Sequence, residues 1–201
     1  LQWAIGLEIF LLAEDPWKVF LTTDHPNGAP FTSYPHLIKL LMDKTFRNDI
    51  LSQLPKEILN HTILHTLSRE YTLNEIAIMT RSAPAKILGL KEKGNLSAGS
   101  DADITVYDRN KKDIEEMFTH PSLVIKDGKV VVENGKIKEY VWGKTHTVKP
   151  EYDRSIEKDL GKFFEKYHTM KLDNYILSDD EMNRLIGSPV YVNDCKYKRK
   201  Q

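Results

Sequence analysis

The chain has 201 residues, 40% of them hydrophobic and 29% charged, with 29 Lys plus Arg balancing 29 Asp plus Glu. This ordinary globular composition excludes disorder, and the zero net charge excludes a global attraction to nucleic acid or an anionic membrane. One cysteine, Cys195, excludes an intrachain disulfide framework and fits a reducing cytoplasm, and the length falls short of the roughly 250 residues of a complete (β/α)₈ barrel.

The chain opens on an apolar stretch from Leu1 to Leu12, interrupted by Glu8 and ended by Glu14-Asp15-Pro16. It lacks the basic start of a signal peptide and the ~20 apolar residues of a membrane span. It predicts a buried helix whose beginning, or whose neighbours, lie outside this chain, because an N-terminus usually starts as a polar tail. Residues 18–23 are a β-rich apolar run without alternation, the pattern of a strand covered on both faces. Helix, short loop and buried strand make half of a repeating β/α unit. Asp24 ends the run, and His25-Pro26-Asn27-Gly28-Ala29-Pro30 is dense in turn formers.

Residues 35–44 read as a helix with Leu37, Ile38, Leu40, Leu41 and Met42 on its apolar face. Residues 46–66 read as one or two short helices broken at Pro55. Thr72 and Glu75 have the spacing of a capping box, opening a helix through Ile76, Ala77 and Met79. A second short helix over 81–90 stops at Gly89. From Gly94 the pattern changes to strands: 103–108, then 123–126 and 129–133 joined by an Asp127-Gly128 turn. Asn134-Gly135 marks another turn, with a further strand over 136–142. Residues 153–167 return to helical spacing through Ile156, Leu160, Phe163 and Phe164. The tail from Cys195 to Lys200 is basic and reads as a frayed, solubilising end.

Asp24 is the main candidate for chemistry. A carboxylate where a buried strand meets a loop can bind a metal or accept a proton, and the same position also suits a plain turn cap. His25 and Asn27, in the loop that follows, are the candidate substrate contacts. His61 and His65 are four apart, which on a helix puts both on one face, but no Glu follows the first and no third ligand is near, so a solvated face is expected. His36, His120, His146 and His168 are isolated. The phosphate-binding glycine loops and the Gly-x-Ser-x-Gly elbow are absent, and Cys195 lies in a polar tail unsuited to a nucleophile.

Gly94-Asn95-Leu96-Ser97-Ala98-Gly99-Ser100-Asp101-Ala102-Asp103-Ile104 closely resembles the Gly-x-Ile-x-x-Gly-x-Asp-Ala-Asp-Leu signature of the amidohydrolase superfamily. Ser82-Ala83-Pro84-Ala85-Lys86-Ile87-Leu88-Gly89-Leu90 looks like the helix before that signature. Residues 124–132 resemble the closing hairpin of its β-sandwich. More narrowly, residues 15–32 and 69–77 resemble the amidohydrolase-like subunit of formylmethanofuran dehydrogenases and its bacterial relatives in formyltransferase/hydrolase complexes. The resemblance implies an α/β chain. Residues 1–88 would be the C-terminal end of a metal-dependent-hydrolase (β/α)₈ barrel, 89–150 part of the small β-sandwich, and 151–201 a C-terminal extension.

It implies as well a binuclear zinc centre bridged by a carboxylated lysine, and an activity that joins formate to methanofuran or hydrolyses the formamide. In methanogenesis the formate comes from a tungsten or molybdenum subunit, with iron-sulfur subunits as further partners. By this resemblance Asp24 matches the metal-binding, proton-shuttling aspartate that closes the last barrel strand. The family's His-x-His pair, bridging lysine and middle-strand histidines have no counterpart here. One carboxylate cannot hold two zinc ions, so weak or no metal binding is expected of this chain alone, and no activity. The other readings are a non-catalytic module docking partner subunits, or a different metal-dependent amidohydrolase. Apolar barrel helices without neighbours also favour self-association.

Overall fold

The computed structural model describes residues 2–109, 113–186 and 190–195, and the tail beyond Cys195 lies outside them. The chain divides into two compact units, 1–141 and 142–201.

The first unit begins with α1 (Gln2–Leu12), whose buried residues are Ala4, Leu7 and Leu11. Trp3, Ile5, Ile9 and Leu12 on its other sides are exposed. A helix apolar all round is the composition of one covered on every side. A 3₁₀ turn at Pro16–Lys18 follows, capped by Asp15, which accepts from Trp17 N–H at 3.0 Å. Residues 18–23 were expected as a strand, but Lys18 ends the 3₁₀ turn and 19–23 form no strand. Residues 19–23 are without regular secondary structure and pair with no strand among the described residues, although Val19 is extended (φ −128°, ψ 142°). Backbone conformation is local, whereas a ladder needs a neighbour.

Helix α2 (Tyr34–Met42) buries Leu37, Ile38, Leu40 and Leu41, and α3 (Lys44–Ser52) buries Arg47 and Leu51. Asp43 ends one helix and caps the next, accepting from Phe46 N–H at 2.8 Å. Next come α4 (Lys56–Leu59), a 3₁₀ turn at Leu64–Thr66 and α5 (Leu73–Ala77). The expected break at Pro55 is present, and Thr72 and Glu75 make the full capping box. Through a π-helical turn at Ile78–Ser82 the chain enters α6 (Ala83–Ile87). Gly89, at φ 72°, closes it: Leu90 N–H reaches Ala85 O at 2.9 Å and Gly89 N–H reaches Lys86 O at 3.2 Å. This is the paired C-terminal cap that a left-handed residue permits.

The core is helical, centred on Leu7, Leu11, Leu41, Leu64, Ile76 and Met79. Ties of long sequence separation close it. The Glu8 carboxylate accepts from Thr62 Oγ1 at 2.7 Å and Ile63 N–H at 2.8 Å, and these bonds hold its pKa below the ordinary value. The Tyr71 hydroxyl donates to Phe10 O, and Arg69 donates to Ala13 O.

Strands β1 (Ile104–Val106), β2 (Leu123–Lys126), β3 (Lys129–Glu133) and β4 (Lys136–Ile137) form an antiparallel meander in that order. Asp127 and Gly128, at φ 52° and 78°, make the expected two-residue turn, and Asn134 and Gly135 repeat it at 49° and 72°. The strand expected over 136–142 is only two residues long. Tyr140 is 86% exposed, so no burial holds the later residues to the sheet. A short helix not expected from the sequence, α7 (Ile114–Thr119), packs against α2: His36 Nδ1 lies 3.2 Å from Glu115, and Lys39 Nζ lies 3.3 Å from Asp113.

An ion-pair knot pins the glycine-rich 94–103 loop to the hairpin. Lys93 Nζ lies 2.7 Å from Asp101 and 2.6 Å from Asp103, and Lys126 Nζ lies 2.7 Å from Asp103. Burial works to raise the Asp103 pKa, but the bonds from Lys126, Lys93 and the Asp127 N–H outweigh it and hold the carboxyl well below the usual range. Burial likewise works to lower Lys93, and its two aspartates outweigh it in the other direction. Asp103→Asn is therefore expected to lower the urea midpoint at neutral pH. The gap from wild type should close as pH falls below about 4, where the unfolded chain takes up the proton and the folded carboxyl then follows. A gap that persists undiminished in strong acid contradicts this.

In the second unit, β5 (Thr145–Pro150) and β6 (Val190–Cys195) pair in parallel, Thr145 opposite Val190. Between them run α8 (Ile156–Tyr167), a 3₁₀ turn at Leu172–Tyr175 and α9 (Asp179–Ile186). His168 stacks on Phe164 at 4.7 Å between ring centres, and Tyr175 meets the same ring edge-on at 5.3 Å. The sheets are an open meander and a two-stranded pair; no sheet closes on itself among the described residues. The α/β class holds, and no described helix is long and apolar enough to cross a membrane.

Candidate functional site

The segment 19–23 runs into the helical core, with Val19 and Leu21 packed against it and Thr23 2% exposed. At Asp24 the backbone turns left-handed, φ 51°, a conformation that Asp and Asn tolerate better than most residues. The Thr22 hydroxyl accepts from Asp24 N–H at 3.3 Å. The loop then closes on itself: Gly28 N–H donates to Asp24 O and Ala29 N–H to Thr23 O, both at 2.9 Å. The His25–Pro26 peptide is cis. The outcome is an exposed Asp24 side chain on a backbone fixed from both sides.

His25 stacks on Phe31, 4.0 Å between ring centres and 20° between planes, and Asn27 is exposed at the loop tip. The three predicted site residues thus share one short loop. Beside it lies a cavity of about 210 Å³ whose wall includes Trp3, Leu7, Phe10, Leu21, Thr23 and Asp24. The Thr23 hydroxyl is buried and has no hydrogen-bond partner among the described residues.

The histidines do not gather. His36 is engaged with Glu115 and the edge of Phe46. His61 follows α4 and His65 lies in the separate 3₁₀ turn, both exposed, so they share no helix face. His146 stacks on Tyr191 in the second unit. No three His, Cys, Asp or Glu side chains converge to hold a metal among the described residues. The donors among the described residues therefore do not by themselves fit a binuclear zinc centre.

Sequence reasoning missed Arg47, which is fully buried. Its guanidinium donates to Leu40 O at 2.8 Å, Arg69 O at 3.0 Å and Leu67 O at 3.4 Å. Burial pushes its pKa down, against the opposing fields of Glu70 and Asp43. The available signal was its place one turn before the buried Leu51 on the inner face of α3.

Comparison with known proteins places these features in a class. The model of the amidohydrolase family matches residues 1–132, and the chain belongs to that family. Within it, the chain is 42% identical over 179 residues to the FhcA subunit of the formyltransferase/hydrolase complex of Methylorubrum extorquens, covering 89% of this chain and 32% of that protein. It is 40% identical over 193 residues to "Protein FwdA" of Methanocaldococcus jannaschii, covering 90% of this chain and 34% of that protein. Among solved structures it is similar to a chain of the crystal structure of the formyltransferase/hydrolase complex (FhcABCD) from Methylorubrum extorquens in complex with methylofuran. That match has a TM-score of 0.77 at 38% identity and covers 97% of this chain and 36% of the other. The chain thus spans about a third of the length of these relatives.

Proposed function

We propose that this chain is the C-terminal third of an amidohydrolase-type subunit that transfers or hydrolyses the formyl group of an N-formyl amine of the methanofuran class. The observation that carries the reading is the likeness over 97% of this chain to one chain of a formyltransferase/hydrolase complex whose structure was solved with methylofuran. The exposed carboxylate of Asp24 on its fixed loop supports it from within the chain. On this reading residues 1–88 complete a barrel, 89–150 belong to a β-sandwich and 151–201 extend beyond it.

In the hydrolytic direction a water oxygen bonds to the formyl carbon and the carbon–nitrogen bond breaks, giving formate and the free amine. Asp24 takes the proton of the attacking water and returns it to the departing nitrogen, and condensation reverses both steps. His25 and Asn27 contact the substrate from the same loop. Any binuclear zinc centre draws most of its ligands from outside this chain, Asp24 supplying at most one. The partners are iron-sulfur subunits and the tungsten or molybdenum subunit, in the cytoplasm.

The test is formate release from an N-formyl furfurylamine substrate by the intact subunit in its complex. Release that depends on this subunit is expected. A complex that turns over equally well without it overturns the reading.

A further inference from the structure

Resting on the reading of Asp24 as the proton-carrying carboxylate, we infer that Thr22 and Gly28 are positioning residues that set the direction in which Asp24 presents that group. A left-handed residue can rotate into the extended region, and doing so redirects its Cα–Cβ bond and everything attached to it. At Asp24 both backbone polar groups are taken. Its N–H donates to the Thr22 hydroxyl at 3.3 Å, and its C=O accepts from Gly28 N–H at 2.9 Å. Neither bond uses the carboxylate, which stays available for chemistry.

Gly28 is needed here for close approach. A Cβ at position 28 would lie 2.5 Å from Thr23 O and 3.2 Å from Asp24 Cβ. The nearer atom is backbone, and its residue is 2% exposed in the packed wall of the unit, so it has nowhere to retreat. A side chain at position 28 therefore displaces the loop, opening the two bonds that close it and releasing Asp24. Thr22 acts on the other side of the same residue through one hydroxyl, which Ser also carries and Val lacks.

The experiment measures formamide hydrolysis by the intact subunit in its complex, comparing wild type with Asp24→Asn, Gly28→Ala, Thr22→Val and Thr22→Ser. A misplacement of about an ångström costs up to about 10²-fold in rate. Gly28→Ala is expected to lower kcat by at least tenfold with the complex assembled, and to raise KM as well, because the displaced loop carries the substrate contacts His25 and Asn27. Thr22→Val should lower kcat in the same way, and Thr22→Ser should restore most of it. That rescue is not expected if position 22 matters only for packing.

If Gly28→Ala fails to assemble, the exposed Thr22 pair decides alone. Wild-type kcat in Gly28→Ala or Thr22→Val, with Asp24→Asn inactive, overturns this inference and leaves the proposed function standing. Full activity in Asp24→Asn overturns this inference and the role given to Asp24, because a clamp on a dispensable carboxylate positions nothing, while the formyl-group activity of the subunit stands.

Discussion

Asp24→Asn in the intact subunit is expected to lower kcat for formamide hydrolysis by about 10²–10⁴-fold, the range of a positioned general acid–base group. The substitution isolates the carboxylate with little collateral change. Every loop bond made at position 24 uses backbone atoms, the side chain is exposed, and Asn is as well suited as Asp to a left-handed conformation. The thermal midpoint should therefore stay within about a degree or two of wild type, as for surface substitutions generally. Loss of kcat with an unchanged midpoint is the signature of lost chemistry. Comparable losses of both would assign Asp24 to the fold.

The second large effect is on stability. Arg47→Ala is expected to cost about 2–5 kcal/mol in urea unfolding. It strips donors from the carbonyls of Leu40 and Arg69, at about 1–3 kcal/mol for each buried acceptor left unpaired. These bonds join the end of α2 to the chain before α5, where Tyr71 N–H also reaches Leu41 O at 3.0 Å. Arg47→Met, which refills the volume and removes a desolvated charge, should lose less than Arg47→Ala. Arg47→Lys keeps the charge but presents no planar fork, so it should not recover wild-type stability. If all three variants unfold at the wild-type midpoint, the buried guanidinium is not the tie described.

What was legible in the sequence was what is decided within a few residues. The Thr72–Glu75 capping box, the Gly89 stop and the two left-handed hairpin turns each follow from residue types at fixed offsets, and each is present. Asp24, His25 and Asn27 were legible as one loop for the same reason. Helix α7 was not, because in six residues its one clear signal is Asp113 accepting from the Glu115 and Glu116 N–H groups. The β5–β6 pair joins residues 45 apart, Thr145 to Val190, and nothing local announces such a partner. The run before Asp24 was read as a strand covered on both faces, but it joins no ladder and only Thr23 is buried, with Val19 and Leu21 half-buried against the core and Thr22 exposed, because both depend on neighbours that local pattern does not supply. Arg47 escaped because a charged residue reads as surface until the carbonyls that receive it are in place.

The two hairpin turns also bear on the order in which the first unit assembles. In the hairpins of the meander, Lys126 pairs with Lys129 and Glu133 with Lys136, contacts that close over three residues each. The helical core is closed instead by Thr62 on Glu8 and Tyr71 on Phe10, across 54 and 61 residues. Short loops close at little entropic cost and long ones at more, so the ribbon should gain amide protection early in refolding and the α1 ties late. The loop that presents Asp24 is anchored in the late-closing half. Its geometry is then among the last features the refolding chain acquires, after the ribbon has formed.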